Sequence, residues 1–186
     1  KMQASFANYG EYLDSLEMQA VIEDFSPINL ARVTQLTNKS NQFNVTTKRY
    51  TQTEMEQVYG SPDYIRLCGR LTDKFGDNGI VSVVIGHRSG EVLDIDLWLM
   101  SCRVLKRDME YAMLDVFVEE AAKRGVKLIR GYYYPTAKNK MVKDLFADFG
   151  FERISEDEDG STVWTLKTEG YENRNFHIRV NVDKDI

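Results

Sequence analysis

One thiol, two groups of cations and one polar run carry most of the chemistry this chain can offer. Cys102 stands beside Arg103 in the run Leu99-Met100-Ser101-Cys102-Arg103. The thiolate is the nucleophile, and a neighbouring guanidinium or a helix N-terminus lowers the pKa that releases it. Cys102 therefore reads either as a nucleophile or as a small packing residue. Arg103, Lys106 and Arg107 form one basic group, and Lys138, Lys140 and Lys143 another. Together they suit an acidic partner, or they are a solvated surface. The run Asn41-Gln42-Phe43-Asn44-Val45-Thr46-Thr47 is dense in amides and hydroxyls. It can bind a polar ligand or satisfy its own loop backbone. His87 and His177 have no partner at ligand spacing, so no metal site is expected.

The elements that must position these residues follow from the hydrophobic pattern. Phe6, Tyr9, Leu13 and Leu16 share one face of a helix over 5–17. A strand over 18–25 leads to Ser26-Pro27, an N-cap followed by proline at the first helical position. That signal predicts a helix towards Gln42, and Thr53 with Glu56 predicts a capping box for a second helix. Tyr64–Asp73, Ile80–His87 and Val92–Met100 alternate like strands, and the Gly-rich turns between them predict an antiparallel meander. A helix from about Arg107 to Lys123 carries Met109, Met113, Val116 and Phe117 inward and stops at Gly125. Asp108 is expected to cap it. A strand over 127–133, a helix over 138–149 and strands near 151–154 and 162–167 follow, with 155–160 an acidic turn. Of Tyr132, Tyr133 and Tyr134, one or two should pack in the core while the other faces the cleft.

Bulk properties limit the partners. A chain of 186 residues suits one domain. A net charge of −5 and a pI near 5.2 disfavour nucleic acid, whose phosphates need a basic surface. No segment reaches the roughly 20 apolar residues of a membrane span. Two cysteines make no disulfide framework, so a reduced, cytoplasmic setting is expected. The chain starts at Lys1 and enters an ordered-looking segment, so it reads as part of something longer. Residues 1–17 are read as a helix or linker from an upstream domain, 18–168 as the main domain and 169–186 as a polar tail.

The spacing of Asn139, Phe146 and Gly150-Phe151 is Asn-x6-aromatic-x3-Gly-Phe. It resembles the acyl-donor half of the GNAT family of N-acetyltransferases. The order β-α-α-β-β-β-α-β-α-β-β is also that family's element order. The implied fold class is α/β (α+β): a mixed, mostly antiparallel sheet flanked by helices, whose fourth and fifth strands run parallel and splay apart. Residues 34–51, 73–85 with 98–105, and 131–142 further resemble the C-terminal region of FkbH-like proteins, over about residues 10–154. In that family a HAD-type phosphatase-like domain precedes a GNAT-like one. The family is associated with loading a glyceryl unit onto the phosphopantetheine of an acyl carrier protein. The DxDxT-type nucleophile motif of the HAD domain is absent here, so the resemblance places phosphotransfer outside this chain.

The resemblance also implies roles for residues. Leu99, Met100 and Ser101 lie where a GNAT strand carries a bulge whose backbone receives the pantetheine arm, which puts Cys102 beside the acyl group as a relay. Arg103, Lys106, Arg107 and Asn139 would serve the same arm, and Asn41, Gln42, Phe43, Asn44, Thr46 and Thr47 would form the acyl pocket. The phosphate loop of the family, Arg/Gln-x-x-Gly-x-Gly/Ala, reads here with Lys106 and Asp108 at its glycine positions. Phe146 stands where many members have a proton-donating tyrosine, and a phenyl ring donates nothing. The donor implied is the phosphopantetheine of a carrier protein or coenzyme A. An acetyl-CoA-dependent N-acetyltransferase and a non-catalytic docking module are the rival expectations.

Overall fold

The computed structural model describes residues 7–182, and Phe6 lies outside them. Helix α1 (Tyr9–Ser15) starts where the Asn8 side chain accepts the Glu11 N–H at 2.8 Å, and it buries Leu13. Strand β1 (Gln19–Glu23) buries alternate residues. The Ser26 carbonyl takes the N–H groups of Asn29 and Leu30, so α2 (Leu30–Lys39) begins after the Ser26-Pro27 signal and ends before Gln42. Helix α3 (Gln52–Gly60) has its reciprocal capping box at Thr51 and Glu54, two residues ahead of the expected Thr53 and Glu56.

Strands β2 (Tyr64–Asp73), β3 (Gly76–Ser89) and β4 (Val92–Met100) form the antiparallel meander. Helix α4 (Met109–Lys123) buries Met109, Met113, Val116 and Phe117. Gly125 follows it at φ 82, a left-handed turn that glycine takes without strain. Strand β5 (Leu128–Tyr133) comes next. The helix expected over 138–149 is instead a 3-10 turn (Lys140–Val142) and a short α5 (Leu145–Asp148). Strands β6 (Glu152–Glu156), β7 (Thr162–Lys167) and β8 (Arg179–Val182) complete one sheet, in the order β6-β7-β5-β4-β3-β2-β1-β8.

Two apolar cores sandwich the sheet. On one face α2 and α3 pack Leu30, Val33, Met55 and Val58 against Val83, Ile85, Leu97 and Leu99. On the other, α1, α4 and α5 pack around Trp98, Phe117, Phe146 and Phe149, all fully buried. Each side chain of that size contributes roughly 2 kcal/mol by leaving water. Phe146 presses on β5 so closely that a Cβ at Gly131 would lie 2.5 Å from its ring, which explains both residues as packing.

Three features bear on the site. Strand β4 carries its bulge at Asp96, not at Leu99–Cys102: Ile85 pairs with Leu97 while Gly86 pairs with Ile95, leaving Asp96 the extra residue. Strands β4 and β5 pair in parallel only from Val92 to Asp94 and then diverge. Into the gap runs the chain's own segment 43–45. The Val45 N–H donates to the Trp98 carbonyl at 3.2 Å, Met100 N–H to Phe43 at 3.0 Å, and Tyr134 N–H to Val45 at 2.9 Å.

The polar tail proves to be part of the body. Strand β8 pairs with β1 in parallel. Asp115 of α4, itself buried, accepts the Tyr171 hydroxyl at 2.5 Å and the N–H groups of Arg174 and Asn175 at 2.8 and 2.9 Å. The N-terminal helix is likewise integrated, since Leu13 and Leu16 lie in the same core as α4.

Candidate functional site

A cleft of about 900 Å³ opens where the end of α2, the 41–43 run, the end of β4 and the 137–138 loop meet. Cys102 is exposed there, at the start of a 3-10 turn (Cys102–Val104). Ser101 Oγ accepts the Arg103 N–H at 3.3 Å and so shapes that turn. The Cys102 thiol donates to Gln42 Oε1 at 3.1 Å. Arg32, Lys39, Arg103 and Lys138 line the cleft, and none of its lining residues is a carboxylate. Arg103 is held by a bond from its guanidinium to the Asn78 carbonyl at 3.0 Å. Cations lining a walled cleft attract anionic ligands. The turn beginning at Cys102 is a single one, so the cations and not a helix N-terminus supply that attraction.

The fold thus gathers Asn41, Gln42, Phe43, Met100, Ser101, Cys102 and Arg103, and it scatters the other candidates. Leu99 and Asn44 are sealed inside, paired across the gap by an isolated bridge. Thr46 donates its hydroxyl to the Asp96 carbonyl at 2.7 Å, and Thr47 N–H bonds Asn44 Oδ1 at 2.8 Å. Asn139 is fully buried; its Nδ2 donates to the carbonyls of Asn44 and Tyr134, both at 2.9 Å, and its Oδ1 accepts Thr136 N–H at 2.8 Å. Its amide is spent on the chain itself.

The loop after β4 turns through left-handed backbone without glycine. Lys106 and Asp108 have φ of 64° and 69°, the left-handed region that costs an L-residue about 1 kcal/mol. Asp108 stands at the N-cap of α4 but makes no capping bond. A capping side chain needs extended backbone to reach the first turn, and this one lacks it. Burial raises its carboxyl pKa. The Lys106 carbonyl accepts the Tyr9 hydroxyl of α1. Arg107 pairs with Asp73 at 2.5 Å and does not reach the cleft. Burial by itself would raise Asp73, but the Phe75 amide and Arg107 outweigh it and hold the carboxyl low.

A second cavity, of about 570 Å³, lies beside the bulge and is lined by Thr46, Lys48, Asp94, Asp96, Tyr132 and Tyr134. Asp94 accepts Arg130 Nε at 2.7 Å and the Tyr132 hydroxyl at 2.6 Å. Burial works to raise its pKa, and those bonds overcome it and keep it ionised. Asp96 is raised by burial, with the Lys48 ammonium 3.9 Å away. The two carboxyls of this cavity are thus shifted in opposite directions. Sequence reasoning passed over this cavity, although Asp94 and Asp96 alternate on one strand and Tyr132 and Tyr134 on the next. Tyr133 points the other way into the core, while Tyr134 is exposed.

Coenzyme A is the donor that such a fold implies, and the residues present do not fit it along β4. Met100 N–H already bonds Phe43, and Ser101 N–H donates to the Val81 carbonyl at 2.7 Å. Among the described residues no cluster of three His, Cys, Asp or Glu side chains could hold a metal ion, and no helix is long and apolar enough to cross a membrane.

No protein-family model matches the chain, and no curated protein matches it either. Solved structures do. The chain is similar to ribosomal-protein-S18-alanine N-acetyltransferase from Escherichia coli, at 15% identity over 85% of this chain and 100% of that one, with a TM-score of 0.60. An acetyltransferase of the GNAT family from Streptococcus pneumoniae is 16% identical over 80% of this chain and 99% of its own, with a TM-score of 0.63. Spermidine N-acetyltransferase from Vibrio cholerae, solved with CoA and spermine, is 10% identical over 81% and 96%, with a TM-score of 0.61. Identities this low speak to architecture alone. One mixed sheet between two helical layers, opened between its parallel central strands, is the GNAT fold, and this chain has it.

Proposed function

We propose that this chain is the GNAT-like domain of an FkbH-like protein, acting in the cytoplasm beside an upstream HAD-like domain. It docks an acyl carrier protein and handles the acyl group, of glyceryl type, borne on the carrier's phosphopantetheine thiol. The observation that carries this reading is the Cys102 cleft, whose lining holds the thiol and four cations and no carboxylate. A carrier protein presents an acidic helix and a phosphate on its arm, and a cationic rim steers both. At the thiol the step is thioester exchange. The Cys102 thiolate adds to the thioester carbonyl, the tetrahedral adduct expels the pantetheine thiolate, and the acyl group rests on Sγ. The reverse exchange returns it to a carrier. Gln42, beside Sγ, and Asn41, which lines the same cleft, supply the polar wall for a hydroxylated acyl group.

The test is calorimetry and thermal shift with a glyceryl-loaded carrier protein and with acetyl-CoA, side by side. Carrier binding that survives Cys102→Ser while acyl transfer is lost is the expected result. A docking module without chemistry is the second reading, favoured by the closed β4 edge. It predicts indifference to Cys102→Ser and loss of binding when Arg103 and Lys138 are both changed to Glu. Stabilisation by acetyl-CoA, about 2.7 kcal/mol at roughly a hundredfold excess over Kd, would sink both and favour an N-acetyltransferase.

A further inference from the structure

A strand edge that faces a widening gap is a pairing site for any extended amide chain, because its N–H and C=O groups otherwise meet only water. Beyond Asp94, β4 is such an edge, since β5 has left it. A pantetheine arm is an extended diamide and is the ligand such a slot would take. We propose that residues 43–45 are a built-in substitute for that arm. The slot is closed by the protein's own backbone, so the domain binds neither coenzyme A nor a phosphopantetheine arm along β4.

The wedge touches both walls. Val45 N–H and the Phe43 carbonyl satisfy Trp98 and Met100 on β4, and the Val45 carbonyl takes Tyr134 N–H at the end of β5. Asn139 ties the middle, with one carboxamide nitrogen shared between the carbonyls of Asn44 and Tyr134. Phe43, Asn44 and Val45 are 5%, 0% and 0% exposed. Both flanks are fastened as well. Asn44 Nδ2 donates to the Ser40 carbonyl at 3.2 Å, Thr46 Oγ1 to Asp96, and the Arg49 guanidinium to Ser40 at 2.9 Å. Segments that open to admit ligands have few buried contacts and solvent-exposed backbone bonds. This one has the reverse.

The far end of the same donor path is closed independently. Tyr9 of α1 bonds the Lys106 carbonyl, and Arg107 is committed to Asp73. The two glycine-type positions carry the side chains of Lys106 and Asp108, where a pyrophosphate would need close approach to bare N–H groups. Acyl handling is thereby confined to the Cys102 end. The wedge does not depend on carrier docking, because it concerns the β4 edge and docking concerns the cleft.

Amide NMR of the intact chain, titrated with coenzyme A and separately with pantetheine 4′-phosphate, tests this. The expected result is that neither ligand at millimolar concentration shifts the amides of Val45, Met100 or Tyr134. Hydrogen exchange at those three should be as slow as at Val83 and Val84 in mid-sheet. Saturable shifts at the three amides, or loss of protection at Val45 when either ligand is added, would overturn the proposal. Shifts confined to Cys102 and Arg103 would support it. A carrier protein that fails to bind while Val45 stays protected removes the docking reading and leaves the wedge standing. Asn139→Ala should speed exchange at Val45 selectively relative to Val83, and equal exchange rates in that variant would count against the lock. If the variant does not fold, the wild-type titration decides alone.

Discussion

At the first turn of α4, Glu110 holds a carboxyl whose Oε1 is sealed from solvent with no hydrogen bond, and burial pushes its pKa to about 7. A carboxyl raised in the folded state is favoured protonated. Its contribution is complete below the unfolded value of 4.5 and is lost as pH rises through about 7. The swing is about 3 kcal/mol by the size of the shift. Glu110→Gln should flatten stability against pH between about 5 and 8 and make the protein more stable at pH 8, read from urea midpoints. The two cysteines differ in the same physical way. Burial, with Glu23 and Asp24 nearby, pushes Cys68 up to about 12, whereas Cys102 is exposed. Iodoacetamide should alkylate Cys102 first and leave Cys68 intact until the protein unfolds, as mass spectrometry would show. Cys102 and the 41–43 run were legible in sequence because polar groups end apolar elements there. Asp94 and Asp96 were not, since acids alternating on a strand look like an ordinary wet face.

Among the elements, the wedge and the turn that locks it are the most consequential. The sequence pattern predicts one helix over 138–149, but Asn139 spends its amide on the backbones of Asn44 and Tyr134, and only Leu145–Asp148 winds as α-helix. Asn139→Ala leaves buried carbonyls unpaired and should cost about 2–4 kcal/mol in urea unfolding, since each unmet buried group costs about 1–3 kcal/mol. The loop ahead of α4 predicts the opposite sign. Lys106→Gly relieves a left-handed backbone at φ 64 and should stabilise by up to about 1 kcal/mol in the same assay. Helix and strand types came through in sequence because apolar periodicity reports which face is buried. The capping box and the bulge shifted by residues because register is set by partners distant in the chain.

For the molecule as a whole, the tail after Gly170 closes the structure. Tyr171, Arg174 and Asn175 surround the buried Asp115, His177 Nδ1 lies 2.7 Å from Asp14 of α1, and β8 extends the sheet beside β1. Deleting residues 170–186 would remove three hydrogen-bonding partners of that carboxylate and open it to water, a loss of about 2 kcal/mol or more, since each bond to a charged group contributes roughly 1.5–3 kcal/mol. Calorimetry should show a lower, broader melting transition. By itself the sequence determined the order of elements, the meander and the apolar face of α4, because each rests on local periodicity. Tertiary structure alone decided that the tail is a strand, that Arg107 belongs to Asp73 and not to the cleft, and that residues 43–45 fill the gap between β4 and β5. Those outcomes depend on which unpaired backbone groups and charges meet across the fold, and no spacing along the chain encodes such a meeting.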